Sequence, residues 1–350
     1  MTGYDPLFLG PDVPLPVVPR EVRVLPSTHF TVQLDPVRRL AAATSVNIDG
    51  NRLVSLPRVD KWVFDRRVPE SEQTGPHVYD HNDLDRGHLV RRQDPIWGAP
   101  AEAQQANIDT FTFANAAPQA AKFNQGKELW VGLEDHVLLY AGNWHHRVSV
   151  FTGPVLLDTD PVYRGCGIPR QFWKVAVWTV PADEPGVTPD PGTDPGTDPV
   201  EDVPDYPFDA DDGATSHHEP DSDPAEARPF TERRPFTERR PFTERRPFTE
   251  RRPFTEGAER KLVSAAFLLD QSPLISGLDL DEAVRAAREA DAPPPLGPFR
   301  TFQVPVSTVA TLTGLDLGPV VAADVLAGQP TPEGRQAWIT LAEPEDAVLY

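Results

Sequence analysis

The stretch "DLDRGHLVRRQDPIWG", residues 83–98, decides how this sequence is read. His88 follows Asp85-Arg86-Gly87 directly, and Arg91 and Arg92 come three and four residues after it. An unperturbed imidazole is largely neutral at pH 7, so His88 can accept a proton there. The arginines around it suit phosphate oxygens, since a guanidinium is a rigid fork of donors. By itself the stretch also fits a solvated, charged turn. His81, Asp83 and Asp85 read as a solvated loop entering the motif rather than as a metal cluster with His88.

The residues that give it direction lie downstream. "FTFANAAPQAAKFNQG", residues 111–126, holds Asn115, Asn124 and the pair Pro118-Gln119. Asparagine is common in turns, but its amide oxygen is also a fair ligand for a hard cation such as Mg²⁺, which needs few protein ligands. "KELWVGLEDHVLLYAG", residues 127–142, predicts a helix with a glycine stop. Its apolar positions Trp130, Leu133, Val137, Leu138 and Ala141 recur at helical spacing, and Glu134 sits on that stripe. A carboxylate there must be paired, hydrogen-bonded, near a cation or able to reach water.

Working outward, alternation predicts strands in "THFTVQLD" from residue 28, in "RRLAAATSVNIDGN" ending at the Asp49-Gly50-Asn51 turn, in "KWVFD" (61–65) and in "VSVFTGPVLL" (148–157). Two more apolar runs, 170–180 and 261–271, flank a segment of different character, and 299–318 reads as a strand followed by a short helix. Between residues 183 and 227 stand fifteen Asp and Glu and no Lys or Arg, against a net charge of −20 for all 350 residues. Proline, glycine and like charge there cannot bury enough surface to offset ordering entropy, so disorder is expected. A strict six-residue repeat follows, with PFTE beginning at Pro229, Pro235, Pro241, Pro247 and Pro253. Proline at that period forbids a continuous helix or interior strand and predicts an extended spacer, or an array of short ligands for a partner. We expect the strands at 170–180 and 261–271 to pair, with the insert as an enlarged loop between them, since closure entropy grows only logarithmically with length.

Most of the net charge therefore belongs to one segment, and the overall acidity says little about the rest of the chain. Cys166 is the single cysteine, which excludes an intrachain disulfide and a cysteine-based zinc site. The first residues lack a basic region and are broken by prolines, and no apolar run is long enough to span a bilayer. The expectation is a soluble protein, cytoplasmic or exported by a leaderless route, with no membrane partner.

Taken together, Asp85-Arg86-Gly87-His88, Asn115-Ala116-Ala117-Pro118-Gln119, Asn124-Gln125-Gly126 and Trp130-Val131-Gly132-Leu133-Glu134 resemble, in order and spacing, the signature of the DNA/RNA non-specific endonucleases of the ββα-metal class. That family includes the sugar-non-specific bacterial nucleases and mitochondrial endonuclease G. The resemblance covers about residues 1–182 and 258–325. It implies an α+β fold, a ββα-metal nuclease with a central antiparallel sheet flanked by helices, interrupted here by a long disordered insertion. The division expected is 1–182 and 258–350 as two parts of one nuclease domain, with 183–257 inserted.

The resemblance also implies roles. His88 would be the general base, and Asn124 the direct ligand of a hydrated Mg²⁺ (or Mn²⁺). Glu134 would hold the metal's waters, Asn115 would help orient the site, and Arg86 would contact phosphate. An upstream arginine would stabilise the transition state, with Arg58 preferred over Arg66 and Arg67. The reaction implied is sequence-non-specific hydrolysis of DNA and RNA to 5′-phosphate ends, on single or double strands. Two residues, Lys127-Glu128 or nearby, lengthen the spacing before Trp130. Arg91 and Arg92 depart from the small, apolar residues usual after this motif and are candidates for substrate binding. An inhibitor or a repeat-binding protein are the further partners this reading suggests. The alternative is a non-catalytic scaffold on a nuclease fold, with the repeats recruiting a partner.

Overall fold

The chain alternates in the strand period over long stretches, and those stretches assemble into one sheet. A computed structural model describes residues 3–82, 84–120, 147–182, 260–272, 300–327, 338–341 and 347–349. Its strands, in chain order, are β1 Arg23–Ser27, β2 Phe30–Asp35, β3 Leu40–Asp49, β4 Leu84–His88, β5 Ala116–Ala120, β6 Arg147–Val155, β7 Val162–Tyr163, β8 Cys166–Gly167, β9 Gln171–Pro181, β10 Arg260–Asp270, β11 Arg300–Val304 and β12 Ile339–Leu341. Eight of them form an antiparallel sheet in the order β1-β2-β3-β6-β9-β10-β11-β12. β4 with β5, and β7 with β8, make separate two-stranded ribbons. The α-helices among the described residues are α1 Pro76–Tyr79, α2 Pro100–Asp109 and α3 Val306–Thr313. The large antiparallel sheet is therefore present, and the described helices are few. The helix expected at 127–142, with Asn124 and Glu134, and the whole 183–257 insertion lie outside the described residues.

The strands read as nearly continuous apolar runs because both faces of the sheet are covered. On β9, Phe172, Ala176 and Trp178 point into one buried cluster, while Trp173, Val175 and Val177 point into another. This is the two-residue alternation of a strand with no solvent face. The first cluster takes Leu89, Val90, Phe113 and Ala117, which belong to the motif-bearing part of the chain. The second is closed by Tyr4, Phe8 and Val13 near the chain's start and by Val306, Val309 and Leu317.

β9 and β10 pair over eleven positions, from Arg260 opposite Pro181 to Asp270 opposite Gln171. The two runs that flank the acidic and repeated segment are thus neighbours, as their composition suggested. The strand expected at "KWVFD" is not in the sheet: Val63 makes a single parallel bridge to Thr112. Its N–H donates to Phe111 O, and Phe113 N–H donates to Val63 O, both at 3.0 Å. The alternation that suggested a strand is real, since Trp62 and Phe64 both pack on the first cluster, but the backbone partner is one residue long.

Candidate active site

β4 is the Asp85-Arg86-Gly87-His88 stretch itself. It is a strand, not a turn, and it pairs with β5 so that Asp85 faces Gln119, Arg86 faces Pro118, Gly87 faces Ala117 and His88 faces Ala116. The solvated loop expected around Asp85 is overturned here: Asp85 is buried within the strand, while His81 is exposed. Charged residues can occupy this ribbon because alternation sends Arg86 and His88 to one face and Asp85 and Gly87 to the other. Gly87 is required by contact. A Cβ at 87 would lie 2.1 Å from Cδ and Oε1 of the buried Gln119, so the glycine and the glutamine of the two motif segments fit each other.

The half-buried His88 ring stands between two aromatic walls. Trp62 lies with its ring centre 4.6 Å away, tilted by 48°, and Phe111 meets it edge-on at 5.1 Å and 87°. Each wall carries an arginine. The Arg86 guanidinium carbon lies 5.8 Å from the Trp62 ring centre, and that of Arg58 lies 5.2 Å from the Phe111 ring centre. Arg58 also comes within 3.5 Å of Asp60. Arg66 is exposed, and Arg67 is tied to Asp65 by hydrogen bonds of 2.5 to 3.1 Å, so of the three upstream arginines only Arg58 reaches the aromatic walls of His88 among the described contacts.

Asn115 is fully buried, and its amide is committed to backbone. Oδ1 accepts from Val90 N–H at 2.9 Å, while Nδ2 donates to Val90 O and Thr110 O at 3.0 Å each. Leu89 N–H donates to Asn115 O at 2.9 Å. One residue therefore clamps the chain leaving β4 to the chain entering β5. Arg91 and Arg92 are buried, and Arg92 Nη1 donates to Leu56 O at 3.0 Å, holding the segment that leads to Arg58. Asn124 and Glu134 are outside the described residues, and among the described residues no group of three or more His, Cys, Asp or Glu is arranged to hold a metal.

Residues 17–194 match the description of the DNA/RNA non-specific endonucleases, slightly more than half of the chain. The chain belongs to the DNA/RNA non-specific endonuclease family. Among the relatives of this chain, an uncharacterized protein, y4fB of Sinorhizobium fredii (strain NBRC 101917 / NGR234), is 42% identical over 200 residues. The match covers 51% of this chain and 30% of that protein, so the chain spans under a third of that relative's length. A solved structure, that of the EndoG/EndoGI complex, is similar with a TM-score of 0.37 and 21% identity, over 46% of this chain and 69% of the other. No helix among the described residues is long and apolar enough to cross a membrane.

Sequence reasoning missed several residues that build this candidate site. The local alternation around Trp62 predicts only a strand, and its contact with His88 depends on a fold-level approach that no local pattern records. Gln271 closes the apolar run of β10. It is fully buried, accepts from Ala120 N–H at 3.1 Å and donates to Pro169 O at 2.6 Å, so it fastens β5 to the sheet. A polar residue ending such a run was the available signal. His29 is buried and stacked on Trp97 at 3.4 Å, and its Nδ1 donates to Pro95 O at 2.8 Å. Its Nε2 lies 3.0 Å from Glu102 Oε1, and this contact is the main cause holding the Glu102 carboxyl below its usual range. His29 thus pins the loop after β4, and α2, to the edge of the sheet. Cys166 is a buried thiol beside Thr74 Oγ1 (3.4 Å), and burial pushes its pKa up, which fits an inert residue.

Proposed function

We propose that this chain is a metal-dependent, sequence-non-specific endonuclease that hydrolyses phosphodiester bonds of DNA and RNA to 5′-phosphate ends. The observation that carries this reading is the placement of His88 between two aromatic walls that each bear an arginine, in a chain of this family. His88 takes a proton from the attacking water. Arg86 and Arg58 hold the phosphate and offset the charge that develops on it in the transition state. Contacts of this kind go to phosphate and sugar and carry little sequence information.

The donor set fits a hard divalent cation. Asn115 has its amide oxygen on a backbone N–H, which leaves Asn124 as the asparagine to hold Mg²⁺, with Glu134 acting on it through water. The ion, when bound, supplies Lewis-acid stabilisation at the phosphate. The buried Arg91 and Arg92 support the site's walls and influence substrate binding from behind them. Residues 1–182 and 258–350 form one nuclease domain, supported by the eleven-position pairing of β9 with β10, and 183–257 is an insertion at the tip of that hairpin. An inhibitor or a ligand of the repeats would be an additional partner.

The test is purified protein on plasmid DNA and on a structured RNA, with Mg²⁺ and with chelator. Both substrates should be cut with Mg²⁺, neither with chelator, and the ends should be substrates for ligase. Intact nucleic acid in the presence of Mg²⁺ would overturn the reading.

A further inference from the structure

We infer that Trp62 is a positioning residue shared by His88 and Arg86, whose indole fixes the imidazole and the guanidinium relative to each other; this rests on the nuclease reading above. Three observations support it. The indole touches both groups, at 4.6 Å from the His88 ring and 5.8 Å from the Arg86 guanidinium carbon. Arg86 and His88 lie two residues apart on one face of β4, so a single flat side chain can span them. The indole is itself held: Val63 is bonded through both its N–H and its C=O to the 111–113 segment, and Trp62 packs edge-on against Phe111 at 5.4 Å and lies tilted by 34° against Phe113 at 6.1 Å.

The chemistry explains why such a residue matters. An imidazole turns freely about its second side-chain torsion unless something packs on its faces, and a base must meet the water it activates in one orientation. The aromatic walls supply that constraint without occupying the ring nitrogens. Arg86 over the same indole is directed by the attraction between a cation and a π-face, which leaves its five N–H donors for other partners. Losing the indole should therefore reduce turnover more than binding, because the groups remain but their mutual geometry does not.

The experiment compares wild type with Trp62→Leu and Trp62→Phe. It measures kcat and KM on duplex DNA, the thermal midpoint, and the NMR position of the His88 ring proton between the two nitrogens. Trp62→Leu should lower kcat about tenfold or more with a smaller change in KM, since misplacing a reacting group is costly. The His88 signal should shift as the indole ring current is lost, and Trp62→Phe should recover most of kcat. A folded Trp62→Leu protein with an unmoved His88 signal and wild-type kcat would overturn the role, as would a loss confined to KM. If Trp62→Leu does not fold, Trp62→Met decides by the same readouts: wild-type kcat or a loss confined to KM overturns the role, and a fall in kcat with a smaller change in KM supports it. The NMR arm needs no turnover, so an inactive wild type together with a His88 signal that moves in the Trp62 variant refutes the nuclease reading and not the placement of Trp62.

Discussion

The eight-stranded sheet and the β4–β5 ribbon are both buried antiparallel structures, yet they are held by different forces. In the sheet, Phe172, Val175, Phe267 and Leu268 are fully buried apolar side chains, and area removed from water dominates. In and around the ribbon, Asp85, Asn115, Gln119 and Gln271 are buried polar groups set beside small apolar residues, and what matters is which atom each one meets. A polar group buried without its partner costs more than a paired one gains. The sheet can therefore trade one aliphatic residue for another at modest cost, whereas the ribbon cannot exchange side chains even of similar size.

The comparison can be broken in four places, from the largest effect to the smallest. His88→Ala should reduce nucleic-acid cleavage by about 10²–10⁴-fold, the usual range for a general base, while the thermal midpoint stays at the wild-type value. In the sheet, Leu268→Ala should cost about 2–5 kcal/mol of stability by leaving a cavity, with kcat per folded molecule unchanged in assays below the melting range. Asn115→Ala removes partners from Val90 N–H, Val90 O and Thr110 O, and should cost on the order of 3 kcal/mol together with a fall in kcat. Denaturant titration beside kinetics separates the last two: if Leu268→Ala lowered kcat, or Asn115→Ala left it intact, the division of labour would be wrong.

The smallest effect concerns acid. Burial raises the Asp65 carboxyl, but its hydrogen bonds and charge contact with Arg67 outweigh this and hold it below its ordinary 3.8. A depressed carboxylate contributes stability that is complete above its unfolded pKa and is lost as pH falls through the folded one. Arg67 is partly exposed, so the contribution is at most about 1 kcal/mol. Asp65→Asn should lower the thermal midpoint at pH 7 and have little effect at a pH below the depressed folded pKa, where the wild type has lost the same contribution. An equal loss at both values would place the effect in packing instead of charge.

Legibility in the sequence followed the same division. The sheet strands β2, β3, β6, β9, β10 and β11 were visible because apolar residues recur along each of them. β4 was not visible as a strand, since its five residues include Asp85, Arg86 and His88 and its partner strand contains Pro118. α2 was missed because only Ala103, Ala106 and Asn107 of its residues are buried, which leaves almost no apolar stripe. For the candidate site, the segments that carry His88 and Asn115 and their order along the chain could be read directly. The use of Asn115 as a backbone clamp, of Gln271 as an anchor and of Trp62 as a wall could not, because each depends on contacts made across the fold.

The claim that His88 supplies the base is tested most directly by chemical rescue. His88→Gly would be assayed on supercoiled plasmid with Mg²⁺, with and without added imidazole, beside the wild type. The account predicts cleavage by the wild type, almost none by the variant alone, and recovery that rises with the concentration of neutral imidazole. A variant that cuts as fast as the wild type without imidazole would contradict it.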